Sequence, residues 1–356
     1  MRNRKSKKNN KSGLLKKVAI LLVIVVVVCF SGIKILGSAL DSGNKSMKVV
    51  NIPNGSGTSV IAQTLEKEEI IKGATSFKIY AKIMGYDGEF KAGAYELSPS
   101  MDLSIICKKL SSGDTVSKTF TVPEGYSIDK IGDKLQKEGV VSKAEFEKAL
   151  LKGNFSYDFL PKNINDVKDY EGYLFADTYS LPLDIDANAL VKVILDNTDK
   201  KLSKLKDDIK KSGRSIHEIL TVASIIEKES NTEDMPKVAS VIYNRLEKGM
   251  KLQMCSTLNY VSGRDAVKSN FSDINLQSPY NTYLNKGLPP GPIATVSMNS
   301  IKAALNPDKS KYLFFVVSEK MDGSNIFAET YEEHLKNTEK FNKTYYKMLK
   351  EGKIKE

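Results

Sequence analysis

Two glutamates stand near the end of one of the most apolar stretches of the chain. Glu227 and Glu229 lie in residues 220–230, where the residues before them are almost all apolar. In an α-helix, at about 100° per residue, both side chains fall inside the apolar arc but about 160° apart from each other. The two carboxyl groups therefore face different neighbours and are poorly placed to act together on one bond.

A carboxyl group on the apolar face of a helix has either a structural role or a catalytic one. A carboxylate is rarely buried unless it is paired or functional. A desolvated glutamate has a raised pKa, which makes it a candidate general acid. The structural alternative is a buried glutamate in a salt bridge with a residue such as Arg245. The segment taken alone leaves both interpretations open.

Other catalytic chemistries find little support. The chain has two histidines, His217 and His334, and His217-Glu218 lacks the second histidine of a zinc-protease helix. Beyond the amino-terminal segment the cysteines are Cys107 and Cys255, which form neither a disulfide framework nor a metal-ligand spacing. The sequence therefore predicts no metal site and no cofactor, and it argues against a Ser-His-Asp triad.

The amino terminus has the pattern of a membrane anchor. Residues 1–17 carry eight basic and no acidic side chains, and residues 18–33 carry no charge. With Lys34 snorkelling, the apolar span reaches residue 40, roughly the 20 residues that a bilayer requires. We expect a cytoplasmic basic tail at 1–17 and a transmembrane helix at 18–40, with the remainder outside the cell membrane. A cleaved signal peptide is the alternative.

The net charge of +11 falls to about +2 beyond this anchor. Nucleic-acid binding normally needs a clustered basic face. No such cluster stands out in the outer sequence, so nucleic acid is not expected as a partner.

A repeat with an offset of 70 residues follows a polar linker at 41–48. Ile-Pro-Asn-Gly at 52–55 recurs as Val-Pro-Glu-Gly at 122–125, and each copy continues into an amphipathic helix and a short apolar run. The pattern predicts a strand, a turn and a helix in each copy. Two copies indicate a small α+β module, which we place at 49–151.

The rest of the chain forms a second predicted domain of mixed α+β class. Helices are expected at about 187–210, 215–231 and 235–248, a strand at 311–318, and a helix at the carboxyl terminus. The long stretch at 251–297 has little regular pattern and is rich in tyrosine and proline. Such stretches are usually disordered or functional, and this composition favours an ordered loop that lines a groove.

Six motifs in order carry a resemblance to a known family: EGYLFADTY, ASIIEKES, VASVIYNRL with GMKLQ, SPYNTY, GLPPGPI and the YLFFV strand. Together they resemble the YceG-like endolytic murein transglycosylases. The repeat region is similar to the family's LysM-like module, and the single amino-terminal anchor also fits. The resemblance implies an α+β fold with a transmembrane helix, a LysM-like module at 49–151 and a YceG-like catalytic domain at 165–346.

The resemblance also implies a function. It indicates a membrane-anchored lyase that cuts nascent peptidoglycan strands between MurNAc and GlcNAc and leaves a 1,6-anhydroMurNAc end. Its partners would be glycan strands, the membrane and peptidoglycan synthases. The family's catalytic glutamate corresponds to Glu229. One carboxyl group suffices if the sugar's own 6-hydroxyl replaces water, whereas a hydrolase using Glu227 as well would need two groups beside one bond.

Further site residues follow from the same resemblance. Gln253, Asn281 and Tyr283 are candidate contacts to the sugar, with ordinary hydrogen bonding within the loop as the alternative. Glu171 is a candidate at the edge of the cleft, with a capping or ion-pair role as the alternative. Glu227 is interpreted as structural.

The chain departs from the family pattern at six positions. Ala176 replaces a proline, Cys255 and Ser256 replace the Asp-Pro of an S-D-P-T motif, Val296-Ser297 replaces a Pro-Gly, and Asn325 replaces a histidine. These changes leave a second function open, a protein of the same fold that binds peptidoglycan or recruits synthases without cutting. Retention of Glu229 favours the enzyme.

Overall fold

The computed structural model describes residues 8–263 and 274–354. Helices and strands are mixed along the chain, which confirms the predicted α+β class. The chain divides into two compact units. The first comprises Met1–Lys118 with Leu181–Asp184, and the second comprises Thr119–Ser180 with Ile185–Glu356.

The first unit begins with the long helix α1, Lys8–Leu36. Within it, Leu15–Leu36 is long and apolar enough to cross a membrane, judged by length and composition. The helix ends four residues before the predicted boundary at residue 40. Ile33 and Leu36 pack against the hydrophobic core of this unit, so the last turn of α1 belongs partly to that core.

A small α+β core completes the first unit. Its elements are β1 (Lys48–Ile52), α2 (Thr58–Lys67), α3 (Ala74–Ile83), β2 (Gly93–Leu97) and α4 (Leu103–Ser112). β1 pairs antiparallel with β2, so that Val50 lies opposite Tyr95. Both side chains are buried together with Phe77 of α3 and Ile106 of α4. These residues supply the apolar faces that hold the strands and helices together.

The second unit contains most of the helices. Two of its strands, β3 (Ser117–Val122) and β4 (Asp177–Pro182), each have two residues assigned to the first unit. Its other elements are α5 (Ile128–Lys137), α6 (Lys143–Lys152), a 3-10 turn (Val167–Tyr170), α7 (Ala187–Ser203), α8 (Lys206–Ser212), α9 (Ile216–Glu229), α10 (Met235–Glu247), α11 (Cys255–Ser262), α12 (Met298–Leu305), β5 (Phe314–Val317), β6 (Asn325–Ala328) and α13 (Tyr331–Lys350). β3 pairs with β4, and β5 pairs antiparallel with β6.

The two sequence copies adopt the same local structure. β1 and α2 in the first copy correspond to β3 and α5 in the second, and the turn glycines Gly55 and Gly125 have φ angles of 77° and 70°. Such positive values favour glycine because a Cβ is strained there. The likeness extends beyond the sequence match to α3 and α6.

The copies nevertheless lie in different compact units, because the boundary between the units falls after Lys118. The sequence instead places both copies in one module at 49–151. The LysM-like character of that region stays a prediction.

Helix α9 forms the centre of the second unit. Ser215 caps its amino terminus by accepting a hydrogen bond from the Glu218 N–H, while the Glu218 carboxylate accepts from the Ser215 N–H. This reciprocal arrangement satisfies backbone donors that a helix start leaves open. Eight consecutive residues from Ile219 to Ile226 are buried, and the helix packs against α10, α11 and α12. Glu229 is thereby fixed at the last position of a rigid helix.

Candidate active site

The carboxyl group of Glu229 accepts a backbone hydrogen bond at the end of α9. Its Oε1 lies 2.8 Å from the Ser256 nitrogen, at the beginning of α11. Burial raises the pKa of Glu229, while the Ser256 contacts and the nearby Lys228 partly oppose the rise. A proton held at a higher pH than usual is what a general acid needs.

Glu227 faces another part of the unit. Its Oε2 accepts a hydrogen bond of 2.9 Å from the Ser297 N–H, and Ser297 is the amino-terminal cap of α12. The carboxylate thus holds the start of α12, where negative charge is favourable. The two glutamates bind different elements, as the helical spacing predicts.

Glu229 lines a cavity of about 450 Å³, which we call the apolar cavity. Six of its lining residues are Glu229, Arg245, Gln253, Tyr283, Phe314 and His334. The strand β5 and the helix α13 supply much of the apolar wall. The cavity is within the usual size range of small-molecule sites, roughly 300–1,000 Å³.

Arg245 does not play the role that the structural alternative assigned to it. It is buried, and its guanidinium donates to the carbonyls of Leu313 (2.5 Å) and Leu252 (2.7 Å). It also donates to Gln253 Oε1 at 3.4 Å. Within the part of the chain that the structure describes, no salt bridge joins Arg245 to Glu229. The arginine instead shapes the loop beside the cavity.

Gln253 and Tyr283 line the apolar cavity, and their contact with a sugar stays a prediction. Gln253 has φ of 50°, in the left-handed region that non-glycine residues rarely adopt. Such strain costs roughly 1–3 kcal/mol and is found most often at functional sites. The Tyr283 hydroxyl lies 3.3 Å from the Cys255 sulfur. Burial raises the pKa of Tyr283, so its hydroxyl stays protonated at neutral pH.

Asn281 has a different environment. Its side chain is fully buried, and its Nδ2 donates to the carbonyls of Ile274 (3.0 Å) and Leu276 (2.8 Å). Its Oδ1 accepts from the Tyr283 N–H at 2.9 Å. The amide group is thus used within the loop, and Asn281 lines neither of the two cavities beside α11. It supports the loop that presents Tyr283.

Glu171 is almost fully buried, with 2% of its surface exposed. Both of its carboxyl oxygens accept from the Ile128 N–H, at 3.1 and 3.3 Å. Burial raises the pKa of Glu171 to about 8, so the carboxyl group is largely neutral at pH 7. The bond to Ile128 at the start of α5 is a capping interaction, which agrees with part of the predicted alternative.

Glu171 also lines a second cavity of about 440 Å³, which we call the polar cavity. Six of its lining residues are Gly125, Asp129, Glu171, Lys228, Ser256 and Tyr260. Ser256 lines this cavity while its N–H binds Glu229 of the apolar cavity. The start of α11 therefore separates the two cavities.

The turn of the second repeat copy forms one wall of the polar cavity. The Gly125 N–H donates to the Thr295 carbonyl at 3.0 Å, and the Thr295 N–H donates to the Tyr126 carbonyl at 2.7 Å. A Cβ at Gly125 would lie 3.3 Å from Lys228, whereas one at Gly55 in the first copy would meet no atom within 4 Å. The second copy is thus closely packed beside the candidate catalytic residue.

His217 and the candidate metal ligands offer no rival site in the described part of the chain. His217 bonds through Nδ1 to the Tyr173 hydroxyl at 2.7 Å and through Nε2 to the Pro290 carbonyl at 2.8 Å. Both ring nitrogens are therefore engaged in holding loops. Among residues 8–263 and 274–354, no group of three His, Cys, Asp or Glu side chains could hold a metal ion.

Comparison with known proteins identifies the family. A model of the YceG-like family matches residues 50–340. The chain is 38% identical over 323 residues to the endolytic murein transglycosylase of Bacillus subtilis, covering 86% of this chain and 88% of that protein. It is 34% identical over 327 residues to the endolytic murein transglycosylase of Streptococcus pneumoniae strain D39, covering 84% and 59%.

The chain belongs to the YceG-like family. A YceG-like protein from Listeria monocytogenes, solved by crystallography at 2.6 Å, is 38% identical and has a TM-score of 0.56. The alignment covers 82% of this chain and 99% of that one.

Two departures from the family motifs lie directly at Glu229. Ser256 stands where the YceG-like pattern has proline, and a proline has no N–H to donate. The hydrogen bond from Ser256 to Glu229 therefore depends on this departure. Asn325, in place of a histidine, donates from Nδ2 to the Glu229 carbonyl at 3.1 Å. Ser256 thus supplies an N–H that a proline lacks, and Asn325 supplies an amide donor to the last carbonyl of α9.

Tyr260 lines the polar cavity, and the sequence interpretation does not single it out. It lies four residues after Ser256 in α11 and lines the same cavity. The 251–297 stretch is predicted to be irregular, and that prediction is wrong for residues 255–262, which form the helix α11. Without the helix, the sequence does not show that residues 256 and 260 lie on one face. An i, i+4 pair of hydroxyl residues beside the motif is the available signal.

Proposed function

We propose that this YceG-like protein is a membrane-anchored lytic endotransglycosylase that cuts peptidoglycan glycan strands between MurNAc and GlcNAc. The observation that carries the proposal is the half-buried carboxyl group of Glu229 at the wall of a cavity, with the Glu227 carboxylate bonded to another element. The printed names of the Bacillus and Streptococcus relatives support the same reaction class.

The proposed mechanism uses Glu229 first as an acid and then as a base. In its protonated form it gives its proton to the glycosidic oxygen of the departing GlcNAc as the bond from that oxygen to the MurNAc anomeric carbon breaks. The resulting carboxylate then takes the proton of the MurNAc 6-hydroxyl, whose oxygen bonds to the anomeric carbon. The product is a 1,6-anhydro ring, and no water is consumed.

The surroundings of Glu229 suit both steps. Burial favours the protonated form before cleavage. The Ser256 N–H, 2.8 Å from Oε1, stabilises the carboxylate between the two proton transfers. Tyr283 and Gln253 are the proposed polar contacts to the sugar at the apolar cavity. Glu171, which lines the polar cavity, is proposed to contact the glycan there.

The membrane anchor is part of the proposal. The apolar helix Leu15–Leu36 supports one crossing, and the basic residues before it favour a cytoplasmic amino terminus. The remaining chain would then meet peptidoglycan outside the cell membrane, and peptidoglycan synthases stay predicted partners. Protease added to intact protoplasts should digest the second unit. Protection of that unit would contradict this orientation.

A binding protein of the same fold is the second candidate function, favoured by Cys255 in place of the family's aspartate. The two functions are separated by incubating the full chain in detergent with purified glycan strands and following strand length. Shortening of the strands supports the enzyme. Strands that are bound but stay at full length would support the binding protein.

A further inference from the structure

Two isoleucines of α3, which we call the isoleucine pair, are exposed on the surface of the first unit. Ile79 is 45% exposed and Ile83 is 54% exposed, and residues four apart lie on one face of a helix. Lys78 and Lys82 are exposed beside them, and residues 74–83 include no acidic side chain. One exposed apolar residue is ordinary. An apolar pair bordered by lysines is typical of helices that lie on a membrane surface.

The equivalent helix of the second repeat copy has different residues at these positions. α3 and α6 both have ten residues, and aligning them end to end places the buried Phe77 opposite the buried Phe146. The isoleucine pair then corresponds to Lys148 and Lys152, which are exposed as well. Folding of this helix therefore does not require apolar side chains at the two positions, and the isoleucine pair has another explanation.

The isoleucine pair lies close to the end of α1. Tyr80 packs so tightly against Gly37 that a Cβ on this glycine would lie 2.7 Å from the tyrosine ring. The Leu103 N–H donates to the Gly37 carbonyl at 2.8 Å, which joins the start of α4 to the same point. Around the axis of α3, at about 100° per residue, the isoleucine pair falls between Tyr80 and the two lysines. The pair thus borders the contact with α1.

The apolar span of α1 runs directly into the first unit. Leu15–Leu36 has 22 residues, or about 33 Å of helix, which matches the roughly 30 Å hydrocarbon core of a bilayer. The last turn of this span already packs against the core of the first unit. Lys34 lies in that turn, and its ammonium group would extend to the lipid headgroups. A membrane-spanning α1 therefore brings Tyr80 and its neighbours to the level of the headgroups.

We propose that α3 lies on the outer surface of the membrane, with the isoleucine pair inserted at the boundary between lipid headgroups and acyl chains. Lys78 and Lys82 then face the phosphates of anionic lipids, which attract basic residues at a membrane surface. The proposal rests on the proposed membrane crossing of α1, and it adds a second contact that the anchor alone does not need. This contact limits the tilt of the first unit on its anchor.

The test uses single tryptophans, because the chain contains none of its own. The full chain is reconstituted into vesicles of phosphatidylcholine and phosphatidylglycerol in equal parts, with or without bromine on the acyl chains. Bromine quenches a tryptophan that it touches. Ile79→Trp and Ile83→Trp should each lose most of their fluorescence in the brominated vesicles. Both positions are about half exposed, so the larger side chain should leave the thermal midpoint nearly unchanged.

Three further variants serve as controls. Lys148→Trp, at the position of α6 that corresponds to Ile79, should be equally bright in both kinds of vesicle. Val26→Trp, within the apolar span, should be quenched and so reports the crossing of α1. Adding Ile83→Lys to the Ile79→Trp chain introduces the residue of the second copy, and it should reduce the quenching because half of the apolar contact is lost.

Quenching at Val26→Trp without quenching at Ile79→Trp and Ile83→Trp would overturn the surface contact and leave the anchor intact. Emission that shifts to shorter wavelength at Ile79→Trp without quenching would also overturn it, since a protein surface such as a second copy would then cover the pair. Quenching that Ile83→Lys leaves unchanged would show that the introduced tryptophan inserts by itself. Absence of quenching at all three positions would contradict the membrane crossing as well, whereas none of these results depends on strand cleavage.

Discussion

Glu229 and Glu171 have similar surroundings but different positions in the second unit. Both accept a backbone N–H from the start of another helix, α11 for Glu229 and α5 for Glu171. Burial raises the pKa of both. Glu229 ends a rigid helix and lines the apolar cavity, whereas Glu171 lines the polar cavity beside the second repeat copy.

A raised pKa does not by itself identify a catalytic acid. Burial raises the pKa of Glu171 to about 8, yet both of its carboxyl oxygens accept the Ile128 N–H and so connect a loop to α5. Glu229 Oε2 accepts no such backbone bond from the described part of the chain. These contacts support the proposal that Glu229 transfers the proton, whereas Glu171 holds the start of α5.

The largest effect is expected for Glu229→Gln. The amide keeps the volume and can still accept from the Ser256 N–H, but it has no proton to give. Loss of a general acid typically lowers the rate about 10²–10⁴-fold. Strand cleavage should fall by this factor while the thermal midpoint changes little. The control is Glu227→Gln, which should retain most of the cleavage activity. If Glu229→Gln cleaves strands at nearly the rate of the parent protein, Glu229 is not the general acid.

Glu171→Gln should change how the free energy of unfolding depends on pH, with little effect on the rate of strand cleavage. The folded pKa of about 8 lies above the ordinary glutamate value of about 4.3 in the unfolded chain. Between these values the folded state holds a proton that the unfolded state has lost. The free energy of unfolding therefore falls as pH rises through this window, by up to about 1.4 kcal/mol per pH unit.

Thermal or urea denaturation of the parent and of Glu171→Gln from pH 4.5 to 8 measures this contribution. The variant should lose less stability across the window than the parent. Parallel stability curves for the two proteins would show that Glu171 is ionised in the folded state, contrary to its burial.

A smaller loss is expected for Glu227→Ala. This change removes the acceptor for the Ser297 N–H and the negative charge at the start of α12. A helix cap of this kind contributes about 1 kcal/mol. Urea denaturation should show a loss of that size, with cleavage per folded molecule nearly unchanged. A large drop in turnover without a loss of stability would instead place Glu227 in the reaction.

Much of the site's scaffold is predictable from local sequence signals. The apolar periodicity of residues 215–231 predicts α9, observed at Ile216–Glu229, and places its two glutamates on different sides. The 70-residue repeat predicts equivalent strands and helices, which the structure contains. Local propensity and helical geometry determine both features, so one sequence suffices to find them.

Features that depend on distant contacts are not predictable in the same way. Glu171 accepts a hydrogen bond from Ile128, which lies 43 residues away in the sequence. Asn281 donates to loop carbonyls whose positions no periodic pattern indicates. The predicted helix at 187–210 is divided into α7 and α8. The second repeat copy lies in the second unit because its turn bonds to Thr295, 170 residues farther along.

The most direct test of the central claim is the mass of the new strand ends made by the full chain. Transfer to the sugar's own 6-hydroxyl, with Glu229 as the single acid and base, leaves an anhydro end that is ~18 Da (one water) lighter than the reducing end left by hydrolysis. Mass spectrometry of purified products should show 1,6-anhydroMurNAc ends in the parent digest and none in the Glu229→Gln digest. Reducing MurNAc ends in the parent digest would contradict the single-carboxyl mechanism.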